Sequence, residues 1–192
     1  MKKSVIKRDN IMHASMELIA ERGFHGAPMA EIAEKAGVGT GTIYCYFESK
    51  DVLVTELYRE LEDKIRAVIQ DGYPLGKPLR ERFLYMIRKI IQYFIAHPLH
   101  FRYMEQFSNS PYGISVRRDR FLGKSGSDNI PMNIFQEGIS QQILRDLPVV
   151  VLFSLAFGPL TSLIRDHILG FVTLDDTLIT QTTEACWDAV KR

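Results

Sequence analysis

Two short helical segments, 29–36 and 40–47, meet at Gly37-Val38-Gly39, and that junction organises the sequence around it. Short helices joined by a three-residue glycine-containing turn form the helix-turn-helix pattern. Pro28 suits the opening of the first segment, where its missing N–H costs nothing. Ile32 and Ala33 are apolar and small where two helices must cross closely, and Val38 plugs the turn between them. Ile43 and Phe47, four apart, give the second segment a buried face. Its other face carries Thr40, Thr42, Tyr44, Cys45 and Tyr46, hydroxyl and thiol groups sized for phosphates and base edges, and Gly41 among them completes the candidate DNA-binding set. A recognition helix turns such a face into the major groove of duplex DNA.

The rest of the chain reads as helix too. No stretch alternates apolar and polar residues with hairpin turn signals, so the fold class is all-α. A first helix over 4–22 places Ile11, Ala14, Leu18 and Ile19 on one face, and Gly23 ends it as a left-handed cap. Ser49 caps a long helix to residue 70 whose stripe is Leu53, Leu57, Leu61, Ile65 and Val68. Gly72-Tyr73-Pro74-Leu75-Gly76-Lys77-Pro78 breaks the chain. Beyond it the pattern predicts helices over 79–96, 99–108, a region 114–144, 149–169 and 176–191, with His97-Pro98 as a further break. The expectation is about nine helices. Residues 1–50 make a small three-helix unit carrying the DNA-binding pattern, and 51–192 a helical bundle joined to it by the long fourth helix.

Lys50 adds an electrostatic argument. A lysine in the first turn opposes the positive end of the helix dipole, yet beside free backbone N–H groups it makes a phosphate site. Composition agrees with a local contact. The 192 residues carry 24 basic and 23 acidic side chains, a formal net charge of +1, so the protein does not coat nucleic acid by bulk charge.

The run Ala36-Gly-Val-Gly-Thr-Gly-Thr-Ile-Tyr-Cys-Tyr-Phe-Glu-Ser-Lys50-Asp-Val-Leu53 resembles the DNA-binding signature of the tetracycline-repressor (TetR) family. Ile11-Met12, Ala14-Ser15, Leu18-Ile19, Gly23-Phe24 and Glu31-Ile32-Ala33 match the same family in register, so the resemblance covers about 8–60. It implies that Tyr44, Tyr46 and Lys50 contact phosphates, and that Thr40, Thr42 and Cys45 approach bases or backbone. It also implies a palindromic operator in double-stranded DNA, a homodimer, and a divergent helical domain for a small-molecule ligand. This sequence departs from the pattern in three places. Gly39 stands where serine is frequent, Ala27-Pro28 where a Ser/Thr pair often opens the second helix, and Cys45 where an aromatic, histidine or basic residue is commoner.

Residues 83–107 hold seven aromatics among flexible methionines. Much of this is bundle core, but the excess also suits an adaptable apolar pocket. The candidate lining is Phe83, Met86, Ile87, Ile90, Phe94, Phe101, Met104, Phe135, Phe153 and Phe157, with Gly123 to Asn129 as its gate. An apolar or aromatic inducer is expected. Residues 147–164 contain no charge, which reaches the lower edge of membrane-spanning length. Pro148, Gly158 and Pro159 interrupt them, and a helix apolar on all sides also suits a dimer seam. Val151, Leu155 and Leu163, with Leu178, Thr182, Ala185 and Ala189 of the last helix, are the candidate interface. The alternative is that both helices only complete the monomer core.

Enzyme chemistry finds little support. There is no Cys-x-x-Cys, Gly-rich phosphate loop or Gly-x-Ser-x-Gly elbow, and no catalytic residue, metal site or cofactor is expected. Two cysteines cannot build a disulfide framework. The basic start meets Asp9, Asn10 and His13 too soon for an export signal. The expectation is a cytoplasmic, ligand-released repressor without a membrane partner. A ligand-independent architectural DNA binder and a helical-bundle enzyme are the alternatives.

Overall fold

The computed structural model describes residues 2–122 and 129–192. Its order is α1 (Lys2–Arg22), α2 (Met29–Lys35), α3 (Thr40–Tyr44), α4 (Lys50–Gln70), α5 (Leu79–Ala96), α6 (Pro98–Ser108), α7 (Pro111–Phe121), α8 (Ile130–Ser140), α9 (Val149–Ile168) and α10 (Asp176–Val190). Among the described residues there are thus ten helices rather than about nine. The only β-type pairing among the described residues is an isolated antiparallel bridge between Leu144 and Lys191. The extra helix comes from the region 114–144, which resolves into α7 and α8. Both α6 and α7 begin at a proline, whose fixed φ favours a first helical turn.

The chain packs as two compact units, each assembled from two stretches. The first comprises 1–64 and 97–117, and the second 65–96 and 118–192. Helix α4 therefore contributes to both, as does α7.

In the first unit, the α1 face read from the sequence is buried, with Ile11 and Ile19 fully so. Gly23 adopts φ 70° and donates its N–H to Ile19 O at 2.9 Å, which closes the helix in a geometry other residues resist. Ile32, Ala33, Ile43 and Phe47 are buried in the same core. Leu53, Leu57 and Leu61 of α4 join them, each burial contributing about 1.5–3 kcal/mol before ordering costs. Helix α6 completes the core against α1. Its Phe107 stacks on Tyr58 with centroids 4.0 Å apart and planes 9° from parallel. Its Tyr103 donates a buried hydrogen bond to Val54 O at 2.8 Å.

The second unit is built by α5, α8, α9 and α10, packed pairwise. Phe83 sits at its centre, edge-on to Phe135 at 6.3 Å and to Trp187 at 5.3 Å. Asn129 and Asp175 cap α8 and α10, accepting from Met132 N–H at 3.2 Å and Leu178 N–H at 2.8 Å. The last residues are tied by Arg145 N–H to Val190 O at 2.9 Å and Arg192 N–H to Ile143 O at 3.0 Å.

Candidate nucleic-acid interface

The turn between α2 and α3 is built from backbone bonds. Gly37 takes φ 67°, Val38 N–H returns to Ala33 O at 3.0 Å, and Thr42 N–H donates to Gly39 O at 2.8 Å. Neither Pro28 nor Gly39 supplies a side-chain cap. Helix α3 is shorter than the sequence pattern implies. After Tyr44 the bonds tighten, Cys45 N–H to Thr42 O and Tyr46 N–H to Ile43 O, an i→i+3 pattern that ends the helix. Phe47 still reaches Ile43 O through its N–H at 2.9 Å and stays fully buried.

Burying Ile43 and Phe47 turns the other side of the segment outward. Thr40, Gly41, Tyr44 and Cys45 are exposed, Tyr44 at 53% of its surface. Thr42 is half-buried. A Cβ built on Gly41 would meet nothing within 4 Å beyond its chain neighbours and its own helix backbone, so no tertiary contact requires glycine there. The Cys45 thiol turns back to Gly41 O at 3.4 Å. Tyr46 differs from its neighbours. It is half-buried and packs against the core of the first unit.

Lys50, read from the sequence as a phosphate site, also has a partner within the protein. Its ammonium donates to the carbonyl of Phe24, and the group is half-buried. Desolvation lowers its pKa, while neighbouring Asp51 opposes the shift. An ammonium carries three donors, so two remain for a phosphate. Phe24 also sets the surroundings. Its ring lies edge-on to Tyr103 and Phe107 and 5.6 Å from Tyr112, whose hydroxyl donates to Asp51.

Sequence reasoning missed a cation on the far side of the recognition segment. Arg8 of α1 donates through Nη1 to Glu60 Oε1 at 2.6 Å and through Nη2 to Glu56 Oε2 at 2.8 Å. Its guanidinium lies 5.5 Å from the centroid of the Phe47 ring. The Glu60 hydrogen bond raises its pKa against the opposing effect of partial burial. A signal was present. Glu56 and Glu60 are like charges four apart on one helix face, a mildly destabilising arrangement that a bridging cation relieves.

The candidate ligand residues divide between the units. Phe83, Met86, Ile87, Ile90, Phe94, Phe135, Phe153 and Phe157 lie in the second, and Phe101 and Met104 in the first, where Met104 packs against the core. Phe153 and Phe157 are half-buried with centroids 4.3 Å apart, and Phe121 meets Phe153 edge-on at 5.6 Å. Of the expected gate, 123–128 lie outside the described residues, and Asn129 is the α8 cap.

Helices α9 and α10 leave an open apolar groove of about 310 Å³. Leu155, Leu163, Thr182, Ala185 and Ala189 line it, with Pro159 and Cys186. Val151 is exposed, and Leu178 half-buried. Helix α9 is long and apolar enough to cross a membrane by length and composition, and little of it is buried within the chain. No group of three metal-ligating side chains occurs among the described residues.

The fold and its outward segment define a helix-turn-helix regulator of transcription that binds DNA. Residues 11–57 match the model of the bacterial regulatory proteins of the tetR family, and 78–191 match the tetracyclin repressor-like C-terminal domain. The chain belongs to the TetR family. It is 26% identical over 171 residues to the fatty acid metabolism regulator protein of Bacillus subtilis, covering 88% of each chain. A TetR-family transcriptional regulator from Vibrio parahaemolyticus superposes with a TM-score of 0.75 at 32% identity, covering 97% of this chain and 99% of that one. The FadR regulator of Bacillus subtilis, solved with stearoyl-CoA, superposes with a TM-score of 0.72 at 21% identity, over 95% and 97% of the two chains.

Proposed function

We propose that the chain is a dimeric, cytoplasmic repressor that reads a palindromic operator with 40–46 and leaves it when an apolar ligand binds the 51–192 domain. The observation that carries the DNA contact is the two-sided segment. Ile43 and Phe47 are fully buried while Thr40, Gly41, Tyr44 and Cys45 face outward. Lys50, with two donors left, adds a phosphate contact.

A second copy covers the α9–α10 groove. Small Ala185 and Ala189 permit close helix approach, and α9 buries too little of itself within one protomer to be a simple core helix. A partner protein rather than lipid suits a helix that carries Ser154, Thr161, Ser162 and Pro159. The dimer holds two recognition segments for half-sites about 34–36 Å apart, or a multiple of that.

The ring cluster of Phe121, Phe135, Phe153 and Phe157 is apolar, as an acyl chain requires, and the complex of Bacillus subtilis FadR with stearoyl-CoA supports an acyl thioester as the first ligand to try. Helix α4 transmits its binding, because it runs unbroken from 50 to 70 through both units. Coupling of about 1–3 kcal/mol is typical of such systems, and the ligand then binds the operator-bound dimer more weakly by the same factor.

The test selects duplexes from a randomised pool with purified protein and measures retardation at fixed salt, with and without stearoyl-CoA. Retention of one selected sequence, released by stearoyl-CoA, supports both parts. Failure to enrich any sequence overturns the DNA reading. Release that never occurs with stearoyl-CoA removes the acyl thioester and leaves the DNA reading standing.

A further inference from the structure

The guanidinium of Arg8 touches three elements of the first unit at once. It belongs to α1, it bridges Glu56 and Glu60 on successive turns of α4, and it lies over Phe47 at the end of the recognition segment. Planar, bidentate and stacking contacts of this kind are available to arginine and not to lysine. We propose that Arg8 is a positioning residue for DNA recognition, fixing the recognition segment on α4 without touching DNA; this rests on the assignment of 40–46 to the operator.

Three features support it. The salt bridges fix the guanidinium against α4, which lies beside the recognition segment in sequence. The side chains of Arg8, Glu56 and Glu60 retain 33%, 37% and 39% of their surface exposed. The network can therefore rearrange without stranding a fully buried charge, unlike a closed ion pair in the core. Finally, Phe47 is fully buried, so what holds its ring also holds the backbone of 44–47. A shift of α4 along its axis displaces both carboxylates and, through Arg8, the ring of Phe47.

Electrostatics gives this reading an unusual test. Arg8→Met removes a positive charge, and Glu56→Gln with Glu60→Gln removes two negative ones. If these groups acted on DNA only through their charge, the first change would weaken binding and the second would strengthen it. A positioning role makes both changes weaken it.

The experiment uses the full chain and the duplex that wild-type protein selects from a randomised pool. Affinity is measured across salt for Arg8→Met, for the Glu56→Gln/Glu60→Gln double variant, and for Arg8→Lys, which keeps charge and stem. We expect about tenfold weaker binding for the first two, an intermediate loss for Arg8→Lys, and a salt slope equal to wild type, because no phosphate contact is lost. Amide exchange without DNA supplies an independent readout. It should quicken over 40–47 in both weakened proteins and stay unchanged in α10. Tighter binding by the double variant, a shallower salt slope for Arg8→Met, or unaltered exchange over 40–47 overturns the proposal. Should wild-type protein select no duplex, the operator reading fails, and the exchange result still decides whether Arg8 holds the segment.

Discussion

The hydroxyl of Tyr103 donates to the backbone carbonyl of Val54 across 2.8 Å, and both groups are buried. This carbonyl lies within the ladder of α4, so the phenol fastens α6 to α4 at a point with no solvent to compete. Tyr103→Phe keeps the ring and removes the bond, and should cost about 1 kcal/mol in urea unfolding with an unchanged m value. Burial, and secondarily Tyr58, raises the pKa of this phenol. A folded pKa above the unfolded one means stability is full below about pH 10 and declines as pH rises beyond it. The Phe variant should lose less of its stability in that alkaline range. Equal alkaline losses in the two proteins would refute the assignment.

Gly41 offers a separation of stability from function. Alanine there meets no atom outside its own helix and chain neighbours and improves helix propensity by up to about 1 kcal/mol. Gly41→Ala should therefore melt slightly higher while binding the selected duplex more weakly, because in the proposed interface the added methyl enters the space of the DNA backbone. A variant with unchanged DNA affinity would show that nothing approaches this position closely.

The two thiols provide a footprint. Cys45 is exposed on the recognition segment, whereas Cys186 is buried and its pKa is pushed up to about 11 by desolvation. Alkylation should modify Cys45 first, and saturating duplex should slow that reaction while leaving Cys186 unaffected. Labelling of Cys45 at the same rate with and without bound duplex would move the DNA to another face.

Assembly is tested at Ala185 and Ala189, which line the α9–α10 groove. Arginine at either place puts an unpartnered charge into a close helix contact. Sedimentation should then report monomer or aggregate, with operator affinity lost although α3 is untouched. Intact dimers in both variants would show that the groove is not the seam.

His100 predicts acid sensitivity. Its ring stacks on His97 with centroids 5.0 Å apart, and burial first, then His97, Lys64 and His13, lowers its pKa to about 4. With the folded pKa below the unfolded one, stability is present at neutral pH and falls as pH drops from about 6.5 to about 4. His100→Gln should flatten the unfolding midpoint over that interval. A midpoint profile identical to wild type would assign the acid loss elsewhere.

What was readable in the sequence follows from where its periodicity is strong. The stripes of α1 and α4 and the turn at Gly37 announce the first unit because apolar spacing and left-handed glycines are local signals. Helix α7 was not separable from its neighbourhood, since its sequence, Pro-Tyr-Gly-Ile-Ser-Val-Arg-Arg-Asp-Arg-Phe, is nearly without an apolar face. The aromatic count in 83–107 pointed to a pocket, but Tyr103 and Phe107 are spent on α1 and α4. Tyr103 meets Val54 across 49 positions of sequence, which no window of adjacent residues encodes. Lys50 was placed at the right end of α4, yet its bond to the Phe24 carbonyl, across 26 positions, has no sequence signature.

The sparsely buried α9 also bears on how regulation varies with dose. In the proposed dimer, protomers that meet gain the shelter this helix lacks alone, so folding stability itself rises with concentration. Below the dimer dissociation constant, occupied operator grows with the square of protomer number rather than in proportion. A small fall in synthesis then empties the operator disproportionately, and a cell holding few copies acquires a threshold without any further component.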